Sequence, residues 1–119
     1  MLLIENEKIS ITRGDVAILE VGTETDYVFQ IGDVVRFKVF KNKDCGCVEL
    51  QKDVIVETIG TTVDINLTSE DTKIGNLINK PVSYWYEVEL NPDTNPQTII
   101  GYDKNGPKTF ELLPEGGDK

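Results

Sequence analysis

Cys45 and Cys47 are the residues best suited by type to covalent or redox chemistry, and only Gly46 separates them. That spacing is one residue short of the Cys-x-x-Cys of thioredoxin-like sites, and a zinc centre needs about four ligands. No further cysteine and no histidine occurs in the chain. The pair reads first as two reduced thiols in a glycine turn, and second as a redox or metal-binding pair. Without histidine, the commonest general base and metal ligand at neutral pH is missing. Ser10, Ser69 and Ser83 therefore have no histidine to activate them. Glu70, Asp71, Asp93 and Asn95 could supply oxygen ligands to calcium, but no segment has the spacing of a calcium loop, and they read first as solvated loop acids. A Gly-rich phosphate loop is absent. Paired carboxylates for glycoside hydrolysis would need a cleft that a compact domain of this length seldom has. No enzymatic activity, cofactor or metal is expected. Arg13-Gly14-Asp15 spells the tripeptide that animal integrins bind; its simpler reading is a turn between two strands, with Asp15 as the turn acceptor.

The elements that would position these residues are strands. Ile9 and Ile11 alternate with Ser10 and Thr12, the period of a half-buried strand, and Gly14 breaks it. Ala17, Leu19 and Val21 then share one face. The same alternation runs through Val35, Phe37 and Val39, through Val63, Ile65 and Leu67, and through Tyr84, Tyr86, Val88 and Leu90. Each segment has one apolar and one polar face, as expected of antiparallel strands with one wet side. Val48 to Glu57, Thr98 to Tyr102 and Thr109 to Leu113 fit the theme less regularly. Asn105-Gly106 and Asp93-Thr-Asn-Pro96 mark turns. Only residues 69–74 suggest helix: Thr68 or Ser69 can cap, acids fill the first turn, and Gly75 stops it.

Turn signals about every ten residues suggest a sandwich or barrel. The expected fold is all-β: an antiparallel, immunoglobulin-like β-sandwich of about seven or eight strands with one short helical turn near 69–74. An antibody-type domain is disfavoured, because its two cysteines would lie far apart with a Trp between them. The expected domain spans residues 1–113, and 114–119 form a flexible C-terminal tail.

A net charge of −9 argues against nonspecific binding to nucleic acid or anionic membrane. Arg36, Lys38, Lys41 and Lys43 form the only basic cluster, read as the solvated face and end of one strand, or as a docking patch for an acidic partner. Met-Leu-Leu-Ile meets Glu5 at once, so no signal peptide is expected. No apolar run approaches the roughly 20 residues of a membrane helix, so no membrane insertion is expected. Alternation points Trp85 outward, where it could anchor an interface or lie under a loop. Trp85, Arg36 and Lys38 are the candidate interface residues.

Three parts of the chain resemble the N-terminal domain of the phage baseplate upper protein family, found in tails of phages and prophages of Gram-positive bacteria. The first is Ile11-Thr-Arg-Gly-Asp-Val-Ala17, like that family's opening strand and turn. The second is Val34-Val-Arg-Phe-Lys-Val39, like its middle strand. The third runs from Leu67-Thr-Ser-Glu-Asp-Thr72 through Tyr84-Trp-Tyr-Glu-Val-Glu-Leu90 to Thr98-Ile-Ile-Gly101 and Thr109-Phe-Glu-Leu112. Two departures are Asn79-Lys-Pro-Val82, where the family usually has a Gly before its tyrosine strand, and the end of this sequence at Lys119, where family members often continue. The resemblance implies a structural module of a tail baseplate, made in the bacterial cytoplasm and located in the virion. It implies docking with other baseplate proteins and self-association in a symmetric particle. A carbohydrate-binding sandwich that touches a cell surface is the alternative.

Overall fold

The computed structural model describes residues 2–5, 8–22, 27–41, 48–75, 78–101 and 108–114, with the backbone alone for 2–5. Among them the fold is all-β. The strands are β1 (Leu2–Glu5), β2 (Lys8–Thr12), β3 (Ala17–Gly22), β4 (Val34–Phe40), β5 (Val48–Ile55), β6 (Thr62–Leu67), β7 (Val82–Leu90), β8 (Gln97–Ile100) and β9 (Lys108–Leu113).

Seven strands form one sheet in the order β1-β2-β9-β7-β4-β5, with β8 also on β7, and β3 and β6 form a second sheet. The registers place β8 and β9 one after the other on a single edge of β7. Gln97 and Ile100 pair with Leu90 and Val88, and Lys108 and Leu112 pair with Tyr86 and Val82. The opposite edge of β7 belongs to β4.

Alternation decides which side chains enter the core. Phe37 and Val39 of β4, Tyr86 and Val88 of β7, and Phe110 and Leu112 of β9 are buried with Leu19 and Val21 of β3 and Ile65 and Leu67 of β6. Phe37 packs against Tyr86 and Phe110, with ring centroids 5.7 and 6.1 Å apart. Burying a side chain of this size contributes about 1.5–3 kcal/mol, so this ring cluster is a main element of the large sheet's inner face.

Two expectations need correction. The pairing is not wholly antiparallel: β2 runs parallel to β9, with Ile9 opposite Phe110 and Leu112 opposite Ile11. The chain leaves β2 through residues 13–16 and crosses to β3 in the other sheet, and no tight hairpin joins β2 to β9, so nothing local forces that pair to be antiparallel. The helical turn near 69–74 is also absent. Its cap does form, with Thr68 N donating to Asp71 Oδ2 at 2.8 Å and Asp71 N donating to Thr68 Oγ1 at 3.2 Å. Only one bond of α-helical spacing follows, from Thr72 N to Thr68 O at 3.3 Å, with one tighter turn bond from Lys73 N to Glu70 O at 3.2 Å. Nucleating a helix is costly, and this segment has no room to propagate one. Thr72 and Ile74 are pulled into the interior, and Gly75 turns away with φ of +68°.

β1 adds a strand that alternation did not reveal. The Asn105-Gly106 turn and the 115–119 part of the tail lie outside the described residues, while Pro114 continues from β9.

Candidate functional site

β5, β4 and β7 carry a ladder of charge on the outward face of the large sheet. Side chains two apart share a face, so register sets the rungs. Asp53, Arg36 and Glu89 form one, and Gln51, Lys38 and Glu87 the next. Phe40, Trp85 and Thr109 lie on a third.

Arg36 reaches two carboxylates. Nε and Nη2 donate to Asp53 Oδ1 and Oδ2 at 2.9 and 3.0 Å, and Nη1 and Nη2 donate to Asp93 Oδ1 and Oδ2 at 3.3 and 3.0 Å. A planar fork facing a carboxylate is the strong form of this bond. Its hydrogen bonds to Arg36 hold the Asp53 carboxyl below its usual range against the opposing effect of burial. Lys38 Nζ lies 2.7 Å from Glu89 Oε1 and 3.3 Å from Glu87 Oε1. It also stands 5.6 Å from the centre of the Phe40 ring, close enough for a cation–π contact. Partial burial pulls the Lys38 ammonium down, but Glu89 and Glu87 outweigh it and hold it above its ordinary value.

The structure brings Arg36, Lys38 and Trp85 onto one face. Trp85 points outward and is half-buried, while Tyr84 and Tyr86 point inward and are buried. The two cations face four carboxylates, so the ladder is not a basic patch. Lys41 is exposed beyond the end of β4, and Lys43 lies outside the described residues.

The other candidates are dispersed or engaged. Arg13 Nη2 donates to Gly75 O at 3.0 Å, Gly14 N donates to Thr72 Oγ1 at 3.0 Å, and Thr72 Oγ1 donates to Asp15 O at 2.8 Å. Asp15 N closes the turn on Thr12 O at 3.0 Å, and Gly14 supplies φ of +88°. The tripeptide thus fastens the β2–β3 turn to residues 72–75. Asp71 pairs with Lys52 and Asp93 with Arg36. Among the described residues no three histidine, cysteine, aspartate or glutamate side chains gather as a metal site. Ser10 is buried and donates to Glu111 Oε1 at 3.2 Å. Cys45 and Cys47 lie outside the described residues.

Sequence reasoning missed Asp33, Asn91 and Lys52. Asp33 accepts from Gln30 N at 2.9 Å, Tyr27 Oη at 2.8 Å and Asn91 Nδ2 at 3.2 Å. The signal was the Gly32-Asp33 turn before an alternating strand. Lys52 stands on the inward side of β5 with Leu50 and Val54, and its signal was a lysine at an apolar position of the pattern. A cavity of about 190 Å³ between the sheets is lined by Ile9, Leu19, Val21, Phe37, Tyr86, Val88 and Ile100, with Glu20 among them. An open groove runs between β5 and β6, lined by residues 53–58 and 62–64.

Comparison with protein-family models, with curated proteins and with solved structures finds no match to this chain.

Proposed function

We propose that the chain is a non-enzymatic assembly module of a phage or prophage tail baseplate, working by protein–protein docking in the virion. One observation carries the reading. The segments that resemble the baseplate upper protein family reach β2, β4, β7, β8 and β9 of the large sheet, while Ile11–Ala17 also crosses the turn to β3 and Leu67–Thr72 holds the end of β6 and the turn after it. Its strand segments meet in one sheet: Val34–Val39 of β4 lies along one edge of Tyr84–Leu90 of β7, and Thr109–Leu112 of β9 lies along the other. The immunoglobulin-like reading belongs to the same proposal. The run β9-β7-β4-β5 follows the strand order of a variable-type immunoglobulin sheet, and β3 beside β6 follows that of its opposing sheet.

Docking would use the outward face of the large sheet, where Trp85 offers an aromatic anchor beside the ladder. Self-association in a symmetric particle and contact with other tail proteins are part of the reading. The test is mass spectrometry of density-purified particles after prophage induction. Peptides of this chain at a fixed ratio to tail proteins support it, and particles without the chain refute it.

A carbohydrate-binding function is the second reading, favoured by Phe40 and Trp85 lying side by side in register on one face. Saturable glycan binding lost in Trp85→Ala would establish it. A glycan array with no binding would remove it.

A further inference from the structure

β5 ends the large sheet and β6 ends the small one. Both edges border the open groove, which holds about 720 Å³. Two hydrogen bonds fix how the backbone of β5 points. Val56 N donates to Asp33 O at 2.8 Å, and Gly32 N donates to Val56 O at 3.0 Å, so Val56 directs its groups toward the β4 side. Alternation sends Val54 and Lys52 the same way, and sends Gln51, Asp53 and Ile55 to the free edge. The register agrees: Val34, opposite Ile55, bonds away from β5, with Asn91 N donating to Val34 O at 2.7 Å and Val34 N donating to Asn91 Oδ1 at 2.8 Å. Gln51, Asp53 and Ile55 thus present three N–H and C=O pairs with no strand partner among the described residues.

The side chains around this edge have a distinct chemistry. Ile55 and Ile59 are 64% and 56% exposed. Ile31 and Val28 are exposed nearby, next to Gly32 and Phe29, which bond to Val56 and Gly60. The groove walls contain Asp53, Glu57 and Asp64 and neither lysine nor arginine. Beyond Asp53, Lys52 Nζ meets Asp71 at 2.8 Å and ties β5 to the turn after β6.

A second copy of β5 fits poorly. Antiparallel self-pairing centred on residue 51 sets Glu49 against Asp53. Centring on 52 sets Lys52 against itself, and centring on 53 sets Asp53 against itself. Like charges directly opposite destabilise a pair of strands, and each chain carries −9. Centring on 50 or 54 opposes no like charges, but the −9 on each chain still works against a second copy, so a basic segment of a different chain is the better match.

We propose that the β5 edge and its groove take up an extended segment of a partner protein, bearing alternating apolar and basic residues, as an added strand of the large sheet. Main-chain bonds to Gln51, Asp53 and Ile55 supply the pairing, the exposed isoleucines receive the apolar side chains, and Glu57 and Asp64 select for lysine or arginine, while the Asp53 carboxylate stays on Arg36. The proposal rests on the assembly reading only for the existence of such a partner.

The probe is a synthetic octapeptide of alternating lysine and valine, with a glutamate–valine octapeptide as control, titrated into the full chain and followed by amide NMR. The expected result is saturable binding of the lysine peptide alone, with exchange of the Gln51, Asp53 and Ile55 amides slowed at least about tenfold. Ile55→Pro removes an outward N–H with no partner among the described residues, a substitution edge strands accept; it should stay folded and lose binding. Glu57→Lys combined with Asp64→Lys should exchange the preference for that of the glutamate peptide. No saturation at millimolar peptide, equal binding by folded Ile55→Pro, or protection confined to the Trp85 face would overturn the proposal. Two outcomes separate it from the assembly reading. Particles that incorporate the Ile55→Pro chain as well as the original remove the groove and leave the module. Peptide binding by a chain absent from particles does the reverse.

Discussion

Asn91 Nδ2 donates to Asp33 Oδ1 at 3.2 Å, joining two residues 58 positions apart where β4 begins and β7 ends. Asn91 sits at φ of +47°, a left-handed conformation that asparagine tolerates better than most residues. Its backbone and side chain both bond Val34. The other oxygen of Asp33 binds Tyr27 and Gln30. One carboxylate therefore ties the segment before β4 to the end of its neighbour.

Asp33→Ala leaves three donors without their acceptor. It should lower the unfolding free energy by about 2 kcal/mol. Urea denaturation followed by tryptophan fluorescence would measure it, and an unchanged midpoint would show that water replaces the carboxylate without loss.

Thr72 is fully buried and its hydroxyl serves Gly14 N, Asp15 O and Ser69 O. Thr72→Val keeps the shape and removes the hydroxyl, for an expected loss of about 1–3 kcal/mol. Thr72→Ser keeps the hydroxyl and should lose less. Equal losses in a thermal melt would mean that the methyl group, not the hydrogen bonds, holds this turn.

Acid should unfold the protein. Asp33 is held below the usual carboxylate range chiefly by the Gln30 amide, and Asp53 chiefly by Arg36. Asp71 is held down because Lys52 and the Thr68 cap outweigh burial. A carboxyl with a lowered folded pKa binds fewer protons folded than unfolded, so its stabilisation is complete above the unfolded pKa of about 3.9 and fades as pH falls through the folded value. Melting temperature should be level from neutral pH to about 5 and fall below it. In Asp33→Asn the acid-dependent part of the loss should shrink; an identical pH profile would clear Asp33 of the effect.

Trp85 faces outward and is half-buried, so part of its ring is open to a partner. Trp85→Ala should cost about 1 kcal/mol or less in the free chain, the ordinary range for surface positions. Incorporation into particles should fall by a much larger factor. Normal incorporation would move the docking surface elsewhere.

Much of this fold was legible because period-two alternation survives wherever one face is buried and the other wet. β3, β4, β6 and β7 were readable residue by residue, and so was the outward aim of Trp85. β1 was hidden, since four residues, Leu2 to Glu5, give alternation too little length. The parallel β2–β9 pair was hidden because a strand's pattern records burial and not the direction of its neighbour. Residues 68–74 carried true cap chemistry, but a cap does not reveal that Thr72 and Ile74 are drawn into the interior. The engagement of Arg36 and Lys38 was equally invisible: their acidic partners come from β5, β7 and the turn after β7, and only the register brings them together.

The placement of β9 sets the order in which the molecule can complete itself. β9 is the wedge between β2 and β7, and Ser10 meets Glu111 across 101 positions of chain. On a ribosome adding about 5–20 residues per second, Lys8 to Thr12 therefore wait roughly 5–20 s for their second strand neighbour. Throughout that interval the β9-facing edge of β2 stays open, although Ile9 can already pack with Leu19, Val21, Phe37 and Tyr86. That open edge is where a nascent chain can pair wrongly, and the arrival of β9 closes it.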